Sequence, residues 1–225
     1  MSAAMAPAGT DRLQAAGIPA YSFDCHEARD LPDIARTLGN LTAHPEKAEA
    51  YAVFTEKILA EIHNRLENNP PPEKARVYME SYTDYFVYGR DTGADDLLQL
   101  LHCQNIGGDQ SLSSMRVSTE WVLAENPDVL IKTTTLGVNR TLESEYSRVV
   151  ARKGFSSLHA VRGNRTYIVN GDVIFSPQAA IGALHLAKTL YPSRFSDINT
   201  DEVSREYANQ FSDDMQADPV IFPKT

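Results

Sequence analysis

The stretch from Glu46 to Glu67 limits what this chain can fold into more than any other. Ala48, Tyr51, Ala52, Thr55, Ile58, Leu59, Ile62 and Leu66 recur at spacings of three and four, the period of one helix face. Pro45 with Glu46 beside it suits a first helical turn, opened by Thr42 or His44. Pro70, Pro71 and Pro72 close it, because proline brings no backbone donor and disfavours helix in the residue before it. At 1.5 Å per residue such a rod is about 33 Å long, the diameter of a small domain. The rest of the chain has to be arranged along it.

Around the rod, strand and helix alternate. Leu13 to Ala16 reads as the end of a helix, Gly17 to Phe23 as a short strand, and Asp30 to Leu38 as a helix closed by Gly39. Beyond the prolines, Ala75 to Glu80, Asp128 to Thr134 and Arg165 to Val169 read as strands. Ala94 to His102, Ser118 to Glu125, Leu142 to Arg152, Ala179 to Leu190 and Thr200 to Phe211 read as helices. Apolar strands separated by helices predict an α/β fold with a mostly parallel sheet flanked by helices. The expected division is residues 1–41 as a lead-in, 42–69 as a spine helix and 73–225 as an α/β lobe.

Charge narrows the partners. Twenty-one Lys and Arg against thirty Asp and Glu leave a net −9, which offers no footprint for nucleic acid or an anionic membrane surface. Cys25 and Cys103 stand in no disulfide framework or zinc spacing. Residues 1–12 lack the basic start and apolar run of a secretory leader, and no run approaches eighteen apolar residues. No dinucleotide fingerprint, P-loop, GxSxG or HExxH occurs, and no two of the six histidines stand at i, i+4. Gly107 and Gly108 are a lone pair, thin support for a phosphate cradle. Catalysis is therefore unsupported rather than excluded by these motifs, and no metal site and no cofactor are expected.

Three segments taken together are informative: Ala75 to Asp109, Val117 to Thr135 (VSTEWVLAENPDVLIKTTT), and Leu158 to Pro192 with its LHAV, GNRTYIVNG and LYP motifs. In this order and spacing they resemble the substrate-binding proteins of iron-siderophore, haem and cobalamin ABC importers. AGIPAYSF and LGNLTAHPEKAEAY are similar to the segment by which that family leaves its first lobe and enters the spine. The resemblance runs from about Leu13 to Phe211. It implies two α/β lobes joined by one rigid helix, with the ligand between them. Matched to that plan, this chain begins near the last strand of the first lobe and supplies the spine and the carboxy-terminal lobe. There are departures. His102-Cys103 replaces the family's Gly-Gly ahead of Asn105, and Ser176-Pro177-Gln178 replaces a Gly-Pro-Arg-like triplet, so an arginine often near the ligand is absent.

In parallel α/β lobes, ligands collect outside the carboxyl ends of the strands. The loops expected there are Ser81 to Gly93, Thr133 to Arg140 and Asn170 to Pro177. The first carries Tyr82, Tyr85, Phe86, Tyr88 and Arg90, aromatic faces with a cation that suit a flat or polyoxygenated chelate. The alternative for these aromatics is packing inside the lobe. Thr134, Phe175 and Ser176 complete the ligand-binding candidates. The resemblance implies a small-molecule metal chelate (ferric siderophore, haem or cobalamin) as ligand and an extracytoplasmic location for the full-length form. It also implies docking to an ABC permease through Glu120, which Ser118 would place in a first helical turn. A helix-terminus role is the plainer reading of that glutamate. In the other class of function, the orphan lobe is an interaction module, a homodimer formed through its exposed cleft face.

Overall fold

The structure is a computed structural model that describes residues 10–20, 22–23, 25–68, 70–109, 114–212 and 219–224. In chain order the helices are α1 (Thr10–Ala15), α2 (Leu31–Thr42), α3 (Pro45–Glu67), α4 (Gly93–Leu100), α5 (Thr119–Glu125), α6 (Leu142–Val150), α7 (His159–Arg162), α8 (Gly171–Ile174), α9 (Ala179–Leu190) and α10 (Thr200–Phe211). The strands are β1 (Arg76–Glu80), β2 (Phe86–Tyr88), β3 (Gln104–Asn105), β4 (Ser114–Arg116), β5 (Val129–Thr134), β6 (Thr166–Asn170) and β7 (Ile221–Phe222). They form one sheet in the order β4-β2-β1-β5-β6-β7, with β3 also on β1.

β1, β5 and β6 are parallel neighbours, in register from Val77 opposite Val129 to Thr134 opposite Asn170. The additions at the margins, β2, β4 and β7, are antiparallel. Alternation along the strands divides the core in two. Val77, Met79, Val129, Ile131 and Val169 face α3, α4, α9 and α10, whereas Tyr78, Leu130 and Ile168 face α5, α6 and α7. Helices covering both faces of a parallel core make the doubly covered α/β sheet that the alternating pattern predicts.

The long helix forms over 23 residues with Pro45 at its start. Ala52, Thr55, Ile58, Ile62 and Leu66 are its buried positions, all among those selected by periodicity. Ile58, Ile62 and Leu66 join the same core cluster as Leu184 and Leu186 of α9. The proline turn therefore ends the helix, while the helix's second half packs into the lobe that follows. Its first half pairs with α2, where Arg36 Nε and Nη1 donate to Glu49 (2.8 Å) and Glu56 (2.6 Å).

Two local expectations are corrected. No strand is present in the described part of Gly17 to Phe23, since a strand needs a partner for its backbone and none lies beside it among the described residues. Nor does Gly39 cap a helix. α2 runs on to Thr42, and Ala43 takes the left-handed position at φ 59°. Gly39 is instead a contact point between α2 and α3, where an added Cβ would sit 2.3 Å from that of Ala48. Among the described residues, no helix is long and apolar enough to cross a membrane.

Candidate functional site

The parallel strands β1, β5 and β6 end at Glu80, Thr134 and Asn170. The chain leaves the sheet there, in the turn 81–85, the loop 135–141 and the α8–α9 segment. Three of the sequence candidates meet at this edge. The rings of Tyr88 and Phe175 lie 5.5 Å apart at a 60° tilt. Tyr82, 43% exposed, lies against the backbone of Gly171, where an added Cβ would come 2.2 Å from its hydroxyl. Glycine at 171 is what lets the phenol approach so closely. Burial raises the Tyr88 phenol, with Tyr82 adding to the effect, and burial followed by Asp172 raises Tyr82. Both therefore stay neutral hydroxyls at neutral pH, able to donate as well as accept.

The segment carrying Phe175 is held from two sides. Asn170 caps α8, its side chain accepting from the Asp172 amide at 3.1 Å. From the spine, the Tyr51 hydroxyl donates to the Pro177 carbonyl at 2.6 Å. Ser176 spends its hydroxyl on the turn, donating to Val173 O and accepting from Gln178 N at 3.1 Å each. Beyond Pro177, a groove of about 490 Å3 opens between α2, α3 and α10, lined by Leu38, Ala48, Tyr51, Tyr207 and Phe211 among others.

Arg90 is exposed, and its Nε donates to the Gly108 carbonyl at 3.1 Å, which fixes the base of the guanidinium fork. Two other candidates are turned inward. Tyr85 packs edge-on against Phe155 at 6.2 Å beneath the Arg152 guanidinium, on the opposite face of the sheet from Tyr88. Thr134 is buried, and its hydroxyl donates to Thr135 O at 3.4 Å. Glu120 is exposed in the first turn of α5, after Ser118, whose side chain caps Trp121 N at 3.2 Å. Its carboxyl is held below the usual range by its own backbone amide, then by Ser118, with Lys153 adding attraction.

Sequence reasoning missed Asn105, the residue that shapes this edge. Its Nδ2 donates to Asp95 Oδ1 (2.9 Å) and to the carbonyls of Tyr88 (3.2 Å) and Gly89 (3.4 Å). Its Oδ1 accepts from Gly107 N at 3.0 Å. One buried amide thereby joins the Tyr88 loop, the start of α4 and the turn after β3. Gly107 belongs to that joint rather than to a phosphate cradle, since an added Cβ would fall 2.3 Å from the Tyr88 carbonyl. The family motif around Asn105 contained this signal. Its hydrogen-bond partners did not follow from the motif.

The fold is thus a parallel-cored α/β sheet with a long helix along one side, and aromatic side chains gather at the carboxyl edge of its parallel strands. The family model for periplasmic binding proteins matches residues 1–173, and the chain belongs to that family. It is 25% identical over 193 residues to the uncharacterized ABC transporter substrate-binding lipoprotein YvrC of Bacillus subtilis, covering 83% of this chain and 58% of that protein. It is likewise 25% identical over 169 residues to the molybdate-binding protein MolA of Haemophilus influenzae, covering 71% of this chain and 44% of MolA. The chain thus spans between 44% and 58% of these curated relatives. Among solved structures it resembles the TroA-like periplasmic binding protein FepB from Veillonella parvula, with a TM-score of 0.81 and 20% identity. That match covers 94% of this chain and 66% of the other.

Proposed function

We propose that this chain is the spine and carboxy-terminal lobe of an extracytoplasmic substrate-binding component of an ABC importer, and that its ligand is a metal chelate. The observation that carries this reading is the convergence of Tyr82, Tyr88 and Phe175 at the carboxyl edge of the sheet, with Arg90 two residues beyond Tyr88. Ring faces offer stacking area to a macrocycle or catecholate, and neutral phenols offer hydrogen bonds. An exposed guanidinium can pair with a carboxylate or phenolate oxygen on the ligand. Binding would draw on this prearranged wall and not on large rearrangement, because one continuous helix sets its place.

The test is calorimetric titration with ferrichrome, ferric enterobactin, hemin, cyanocobalamin and molybdate, using this chain and a two-lobed form. At least one chelate is expected to bind the two-lobed form, and Tyr88→Ala to weaken it about tenfold or more, as loss of a buried aromatic anchor does. Silence towards all four chelates, or binding of molybdate alone, would overturn the chelate reading. Glu120 is assigned to permease docking. Glu120→Ala is expected to leave chelate affinity unchanged and to lower uptake by cells carrying the cognate permease, with unchanged uptake removing the assignment.

A further inference from the structure

Two charged side chains stand inside buried strands, beside Met79 on β1 and between Ile131 and Thr133 on β5. Glu80 ends β1 and Lys132 lies within β5; both are fully buried and they face each other in register. The Glu80 carboxylate accepts from Tyr78 Oη at 2.6 Å and from Arg152 Nη1 and Nη2 at 2.8 Å each, and forms an ion pair with Lys132 Nζ at 3.2 Å. The same cations reach beyond it to the turn 81–85. Lys132 Nζ donates to the Ser81 carbonyl and lies 3.6 Å from Asp84 Oδ1. Arg152 Nη2 donates to Asp84 Oδ1 at 2.9 Å, and Arg148 donates to both Asp84 oxygens. The Arg152 guanidinium lies 4.7 Å from the Tyr85 ring centre and 5.5 Å from that of Phe155.

The turn is therefore gripped at Ser81, Asp84 and Tyr85. Tyr85 sits at φ 60°, a strained conformation for a tyrosine that persists only where surrounding contacts impose it. Asp84 remains 37% exposed, yet its carboxyl is held down at about 2 by the Arg148 hydrogen bonds and by the nearby Arg152 and Lys132 charges. Between the tied points stands Tyr82. A buried ion network is a weak source of stability, because apolar side chains of similar volume usually serve at least as well. What it offers is direction, through donors and acceptors that admit one arrangement.

We propose that Glu80, Lys132 and Arg152 are positioning residues of the ligand site: a buried ionic tether that holds the turn 81–85 so that Tyr82 is presented to Tyr88 and Phe175. This rests on the chelate reading of that edge. None of the three is assigned a contact with ligand. Their action runs through the Ser81 carbonyl, the Asp84 carboxylate and the Tyr85 ring.

The test is Lys132→Met, which removes the tie to Ser81 and leaves Glu80 paired with Arg152 and Tyr78. Amide hydrogen exchange at Ser81 and Phe86, whose N–H groups donate to the Phe86 and Thr83 carbonyls and close the turn, is expected to quicken about tenfold or more, with exchange in β6 and α9 unchanged. A purely structural role would move both sets together. Should Lys132→Met fail to fold, Arg152→Lys keeps the charge, loses the two-pronged grip, and is read in the same way. In the two-lobed form, affinity for the best-binding chelate of the titration panel is expected to fall about tenfold in the same variant. Unchanged exchange at Ser81 and Phe86, or quickened exchange with unchanged chelate affinity, would overturn the tether as a positioning device. A wild type silent towards every chelate would instead overturn the reading of the site, and exchange alone would then decide whether the tether holds the turn.

Discussion

Asn105→Ala is expected to lower the unfolding free energy by about 3 kcal/mol, measured by urea denaturation at pH 7. The size follows from what the truncation leaves behind rather than from the area it removes. Asp95, itself buried, loses the amide that satisfies Oδ1, and the buried Gly107 amide loses its acceptor. A buried polar group stripped of its partner forfeits roughly 1–3 kcal/mol each time. Asn105→Asp should be worse than alanine despite its closer shape. It would set an oxygen where Nδ2 now stands, 2.9 Å from a carboxylate oxygen and facing the Tyr88 and Gly89 carbonyls. Four acceptors without a proton between them repel one another unless one is protonated. A cost below about 1 kcal/mol for alanine, or an aspartate variant as stable as wild type, would show that Asn105 is not the joint of this edge. The same comparison separates stability from function, because the carbonyls it releases belong to the loop that carries Tyr88 and Arg90.

The elements legible in the sequence share a physical property: each is long enough to show a period or an uninterrupted buried run. α9 and α10 fall at the expected residues, α9 because eleven of its twelve positions are buried and apolarity marks its whole length. β5 is buried at every position and bounded by a left-handed Asn126, so its limits show as well. By contrast β2, β3, β4 and β7 are two or three residues long, too short for alternation, and arise because longer strands offer them an edge. The described part of Gly17 to Phe23 fails in the opposite sense, with strand-like composition and no pairing partner among the described residues. At the site, Tyr82, Tyr88 and Phe175 could be expected together because the sequence puts all three in segments that follow strands, although Tyr88 turns out to end the short strand β2. Which way Tyr85 points was not legible, for its neighbour Tyr88 lies only three residues away on the opposite sheet face. The decisive contact is Arg152, 67 positions later in the chain. The clue that was present is chemical: a glutamate and a lysine inside buried strands require partners, because an isolated charge cannot remain buried. Glu80 and Lys132 were that clue, and it points to the tether rather than to the aromatic wall.

Acidification from pH 7 to pH 4 is expected to remove about 3 kcal/mol of stability through His185 alone. The residue lies on α9 beneath α10 and is 5% exposed. Its Nε2 is 2.9 Å from the Ser204 hydroxyl, which donates to the Thr200 carbonyl at 3.0 Å. The serine proton being spent, the imidazole is the donor to Ser204, and a neutral ring with its proton on Nε2 satisfies the pair. Burial pushes the folded imidazole down to about 4, and Lys224 and Lys188 act in the same direction, while Asp201 and the Thr200 backbone oppose it. In the unfolded chain the same group takes its proton near about 6.5. Between those values the unfolded state binds more protons than the folded one, so stability falls as pH falls. The contribution is complete above the unfolded value and levels off below the folded one. The paired carboxylates Asp84 and Asp197, each held at about 2, lose their contributions only at more acidic pH, so the two windows are separable. Urea unfolding across this range should show wild type losing stability on the way to pH 4 and His185→Gln losing correspondingly less. Parallel curves for the two proteins would mean that the buried imidazole does not titrate with folding.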